Sequence, residues 1–160
     1  MESESNPGNY TSLWPAGFHF CDLGQIRLRC VTAEQFRNST VRDKWMNRLE
    51  MIAERMTLAN VNGELWVDGS FVTTKLNPRD LDVCFYVKAE LLEQGNKIQR
   101  EAVKWFDRLQ ITHGVDAYIS TIFSVTDPRH EETLNDYLFW KNLWGTSRNN
   151  SPQGIVVLRL

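Results

Sequence analysis

The chain has 160 residues, with 18 basic and 20 acidic side chains, a net charge of −2, and 42% hydrophobic against 24% charged residues. This is the composition of one globular domain with a sizeable core, and it excludes the cationic surface that a general nucleic-acid binder needs. No apolar run approaches the roughly 18 residues of a bilayer span, and the polar start has no basic or apolar leader region, so the sequence predicts a cytoplasmic protein with no membrane role.

Residues 1–20 carry Pro7, Gly8, Pro15 and Gly17 and read as an irregular N-terminal arm, leaving 21–160 as a single domain. Asp22 is placed to cap a short helix over 22–31, and Thr32 with Gln35 has the capping-box spacing for a turn just beyond. Over 39–59 the apolar residues Val41, Trp45, Leu49, Ile52 and Met56 fall on one stripe, which predicts a long amphipathic helix. A short strand over 64–67 follows the Asn62-Gly63 turn and runs into Asp68-Gly69-Ser70. A second strand over 80–87 is marked by its β-branched and aromatic content. Residues 89–109 read as helix with a break near Gly95-Asn96, 115–119 as a third strand, 130–144 as helix and 154–158 as a closing strand. The order predicts an α/β (α+β) fold, a small mixed sheet with helices packed on it. The three scattered cysteines, Cys21, Cys30 and Cys84, read as reduced thiols. Of the six tryptophans, Trp45, Trp66 and Trp105 fall on core patterns, and packing is the expected use of the rest.

The chemistry concentrates in three places. Asp80 and Asp82 are two apart on an expected strand, so both side chains leave one face. Two carboxylates at the head of so apolar a run repel each other and are costly to desolvate, and a divalent cation would meet both costs. The alternative is a pair that caps a loop and faces solvent. Gly69-Ser70 ends the preceding strand, with a glycine for close backbone approach and a hydroxyl that can meet a phosphate oxygen. Asp116 lies on the next expected strand, one helix beyond Asp82, where a right-handed crossover would bring it into the same sheet. Lys75 and Arg79 lie in the loop between. Arg129, His130, Lys141 and Arg148 form a loose basic set near the end of the chain. His19 and His113 have no partner at an informative spacing, and Ser70 has no evident His base, so an acyl-transfer triad is unsupported.

Together, Gly69-Ser70, Asp80-Leu81-Asp82 and Asp116 resemble the signature of the DNA polymerase beta-like nucleotidyltransferase superfamily. That signature is an apolar-Gly-[Gly/Ser] turn, a spacer of about ten residues, Asp-x-[Asp/Glu], and a third carboxylate on a later strand. The resemblance covers roughly residues 40–125. The wider pattern, Pro15-Ala16-Gly17-Phe18-His19, Asp68-Gly69-Ser70-Phe71-Val72-Thr73 and Gly154-Ile155-Val156, is similar to a group of short bacterial nucleotidyltransferase-like proteins. One position departs: Asp68 stands where most of the superfamily has an apolar residue.

The resemblance implies two Mg²⁺ ions, a role Mn²⁺ can also fill, held by Asp80, Asp82 and Asp116 about 3.5–4 Å apart. It further implies an NTP, ATP among them, with phosphates held by Gly69 and Ser70 and their charge met by Lys75 and Arg79. Asp116 would help deprotonate the attacking hydroxyl of a protein or RNA acceptor, with a cognate partner protein among the candidates, in a setting similar to toxin–antitoxin or antiphage modules. The short flanks imply a minimal transferase rather than a polymerase. Two other readings stand beside it. One is a non-catalytic nucleotide- or partner-binding module of the same fold. The other is a sugar-nucleotide glycosyltransferase, in which Gly69-Ser70 has no role.

Overall fold

In the computed structural model, which describes residues 10–160, five strands carry the molecule. They are β1 (Gly17–Phe20), β2 (Gly63–Asp68), β3 (Asp82–Lys88), β4 (Asp116–Ile122) and β5 (Gly154–Arg159). They form one mixed sheet in the order β1-β5-β2-β3-β4. The β1–β5 and β3–β4 pairs are parallel, and β5–β2 and β2–β3 are antiparallel. The helices are α1 (Leu23–Arg27), α2 (Arg42–Leu58), α3 (Ala89–Gln94), α4 (Lys97–Asp107), α5 (Leu109–His113) and α6 (His130–Trp144). The fold is α+β, and no helix among the described residues is long and apolar enough to cross a membrane.

Strand alternation divides the sheet into two apolar faces. Leu65, Val67, Val83, Phe85, Val87, Val156 and Leu158 face one way, into a core closed by Trp45, Leu49, Ile52 and Met56 of α2 and by Ala102 and Phe106 of α4. Trp66, Cys84, Tyr86, Ile155 and Val157 face the other way, under Trp144 and Trp140 of α6. Of the stripe expected on the long helix, Trp45, Leu49, Ile52 and Met56 are buried, and Val41, at the N-cap, is half-buried against the same core. The expected helix break is a real one: Asn96 caps α4 in a reciprocal box with Gln99, and α3 stops at Gly95.

Three local expectations are corrected. Residues 17–20 are not irregular, because β5 offers them a parallel edge to pair with; residues 1–9 of that arm lie outside the described residues. The capping box expected at Thr32 and Gln35 does not form. Thr32 Oγ1 instead donates back to the Leu28 carbonyl of a π-turn (Leu28–Thr32), and the box belongs to Asp22 and Gln25 at the start of α1. Asp80 precedes β3 rather than lying in it, since Asp82 is the first residue with a ladder partner.

Packing rather than base stacking explains most of the tryptophans. Trp14, Trp45, Trp66 and Trp144 are buried, while Trp105 and Trp140 are half-buried against the two cores.

Candidate functional site

The carboxylates owe their position to register. Asp68, the last residue of β2, pairs with Asp82, the first of β3, and Asp82 pairs with Asp116, the first of β4. Three aspartates thus stand in a row across three adjacent strands. Alternation places them on the α6 face, because Asp68, Asp82 and Asp116 share the parity of Trp66, Cys84 and Tyr118. Asp80 joins the row from the loop before β3. The seven residues to which the resemblance assigns a role, Gly69, Ser70, Lys75, Arg79, Asp80, Asp82 and Asp116, line one cleft of about 800 Å³, and Asp68 lines it with them.

Gly69 opens a single 3₁₀ turn (Gly69–Val72) with φ at +74°, a conformation that costs a side-chain-bearing residue about 1–2 kcal/mol. A Cβ there would also overlap Asp82 Oδ2. The Asp82 carboxylate therefore lies against the backbone that joins Asp68 to Ser70.

The loop from Phe71 to Lys75 is held from below by a residue that sequence reading missed. Arg42, at the first position of α2, is 1% exposed and has no carboxylate partner among the described residues. Its guanidinium donates to the carbonyls of Cys30 (2.8 Å), Phe71 (2.7 Å), Thr73 (2.6 Å) and Lys75 (2.5 Å) and stacks on the Phe36 ring at 3.6 Å. Desolvation lowers its pKa to about 10. At a helix start an arginine reads as a solvated charge, and only the long-range contacts show otherwise.

The electrostatics of the cleft are unbalanced. Burial, then the charges of Asp80 and Asp116, push the Asp82 carboxyl up to about 7, with Arg148 opposing. Asp68 is raised well above the usual carboxylate range by burial and by Asp82, with only the Gly69 N–H opposing. Burial and then the three carboxylates raise the Tyr118 phenol. Asp116 is steadied by Gln110, whose Nε2 donates to Oδ1 at 3.1 Å. Among the described residues, no cation stands within ion-pair distance of Asp68, Asp80, Asp82 or Asp116.

Facing this acidic floor is an apolar wall that the sequence reading did not assign. Tyr118 of β4 meets Trp140 of α6 at 4.8 Å between ring centroids, and Phe139, Leu143 and Trp144 continue the surface. The signal for Tyr118 was present, two residues beyond Asp116 on the same strand. Of the loose basic set, Arg148 lines the cleft. Arg129 is tied to Asp127 and Glu93, and the His130 ring lies 2.9 Å from the Phe123 carbonyl. His19 contacts the Pro15 carbonyl, and His113 contacts the Thr112 hydroxyl and meets the Trp105 ring edge-on at 6.0 Å, so neither lies in the cleft.

A floor of carboxylate oxygens with one buried oxygen lacking a partner, Asp68 Oδ1, suits a hard divalent cation. No three His, Cys, Asp or Glu side chains among the described residues are drawn close enough to enclose an ion by themselves. The donor set therefore fits Mg²⁺, which is commonly held by one or two carboxylates completed by phosphate and water, better than a cation that needs a full protein cage.

The chain belongs to the family of unknown function DUF6932, whose model matches residues 7–159. No curated protein and no solved structure matches it.

Proposed function

We propose that this member of DUF6932 is a metal-dependent nucleotidyltransferase, which moves a nucleoside monophosphate from an NTP to a hydroxyl of a protein or RNA acceptor. The observation that carries this reading is the convergence of Gly69-Ser70, Asp80, Asp82 and Asp116, distant in sequence, on one cleft with Lys75, Arg79 and Arg148 at its edge.

Asp80, Asp82 and Asp116 would hold Mg²⁺, which when bound neutralises triphosphate charge and aligns the α-phosphate. Gly69 and Ser70 present backbone and hydroxyl to the β- and γ-phosphates, and Lys75 and Arg79 offset their charge. The nucleoside lies against Tyr118, Phe139 and Trp140, a wall suited to stacking a base. The acceptor oxygen attacks the α-phosphorus, the bond to the bridging β-oxygen breaks, pyrophosphate leaves, and the hydroxyl proton passes to the Asp116 carboxylate. Gln110 holds that carboxylate by its Oδ1. Positioning and charge neutralisation supply most of the rate in such transfers.

The test is incubation of the protein with Mg²⁺, each α-labelled NTP in turn, and a native lysate. Wild type should label an acceptor, and Asp82→Asn should lose the label. Nucleotide binding without any labelling would instead support a non-catalytic binding module.

A further inference from the structure

Asp68 has no part in the scheme above, yet it is the most constrained carboxylate of the cleft. It is 3% exposed, its Oδ1 has no hydrogen-bond partner among the described residues, and the donor it does have is the adjacent Gly69 N–H. A buried carboxylate oxygen without a donor costs at least as much as an unsatisfied neutral group, so it calls for a partner that the described residues do not supply. No lysine or arginine among the described residues pairs with it. Register places Asp68 beside Asp82 on the same face of the sheet. The Asp82 carboxylate lies against Gly69, the residue that follows Asp68, in the space a Cβ there would fill. Gly69 thus leaves room for the Asp82 carboxylate beside the backbone that follows Asp68, and both aspartates line one cleft.

We propose that Asp68 is a cation ligand, and that with Asp82 it holds a divalent ion of the Mg²⁺ or Mn²⁺ class at the β2 end of the carboxylate row. Two carboxylates are enough for such an ion, because water or phosphate oxygens complete its shell. The row then has four ligands rather than three, and Asp82, at its centre, is shared between the Asp68 side and the Asp80–Asp116 side. The inference rests on the metal-dependent reading for the class of ion but not on transfer itself, since it concerns the protein without nucleotide.

The experiment is a Mn²⁺ titration of the full chain, without nucleotide, followed by the loss of the free-ion electron paramagnetic resonance signal. Asp68→Asn keeps the shape and removes the charge. It should weaken Mn²⁺ binding at least tenfold and shrink the rise in melting temperature that Mn²⁺ gives wild type. Melting of the metal-free variant at or above the wild-type temperature would show that the fold is intact. Asp68→Asn binding Mn²⁺ within twofold of wild type overturns the inference, leaving Asp68 as a neutral acid that asparagine replaces, and leaves the labelling assay to judge transfer. Wild type that takes up no Mn²⁺ without nucleotide overturns it equally. Wild type that binds Mn²⁺ through Asp68 but labels no acceptor with any NTP would sink the transfer reading alone.

Discussion

Asp82 makes the charge imbalance of the cleft measurable as stability. Its carboxyl is pushed from an ordinary value of 3.8 up to about 7, by burial first and then by Asp80 and Asp116. A group that holds its proton more tightly in the folded state costs stability as pH rises between the unfolded and folded values. Below pH 3.8 both states are protonated and Asp82 costs nothing. From there to about pH 7 the unfolded chain ionises while the native one keeps its proton, and above that the full cost stands. At about 1.4 kcal/mol per pH unit, the interval amounts to about 4 kcal/mol. Asp82→Asn has nearly the same shape without the charge. Urea unfolding should find the variant equal to wild type near pH 4 and about 3–4 kcal/mol more stable at pH 8. Added Mg²⁺ should close part of that gap, by stabilising wild type in proportion to its binding. A gap at pH 8 no larger than at pH 4 would refute the placement of Asp82 as a desolvated carboxylate among like charges.

Other parts of the structure give sharper local tests. Arg42→Met leaves the carbonyls of Cys30, Phe71, Thr73 and Lys75 without their donor. At about 1–3 kcal/mol for each buried group, less the relieved desolvation of the guanidinium, a net loss of about 3–5 kcal/mol is expected in chemical denaturation. Gly69→Ala must adopt φ near +74° and displace the Asp82 carboxylate, so it should lose about 1–2 kcal/mol and most of its Mn²⁺ affinity together. Asn96→Ala removes the capping box of α4, far from the cleft. It should cost about 1 kcal/mol in urea without altering Mn²⁺ binding, which makes it a control for the two preceding variants.

Much of the fold was legible because its signals are local. The stripe on α2 is a matter of helical period, the bounds of α6 of composition, and the α3–α4 break of the Gly95-Asn96 pair, each contained in one short segment. The parts of the site carried by spacing were legible for the same reason: a Gly-Ser turn, an Asp-x-Asp pair and a later strand aspartate are all short patterns. Local signals misplaced β1 and the Thr32 turn, because an edge strand is made by its partner and a cap by the geometry of the preceding turn.

Taken alone, the sequence determined which residues could do the chemistry, and the tertiary structure decided which of them meet. Pairing of β2, β3 and β4 set Asp68 beside Asp82 and Asp82 beside Asp116, an alignment that no pattern within one strand encodes. Long-range packing turned Arg42 from an apparent surface charge into the clamp of the loop from Phe71 to Lys75, and brought α6 over the cleft as its apolar wall. Asp68 shows the difference most clearly. In the sequence it is an unusual neighbour of Gly69, whereas in the fold it is a buried acid with one oxygen unanswered. Whether a carboxylate is solvated or starved of partners depends on what the rest of the chain packs around it, and that is settled only when the sheet and its helices are in place.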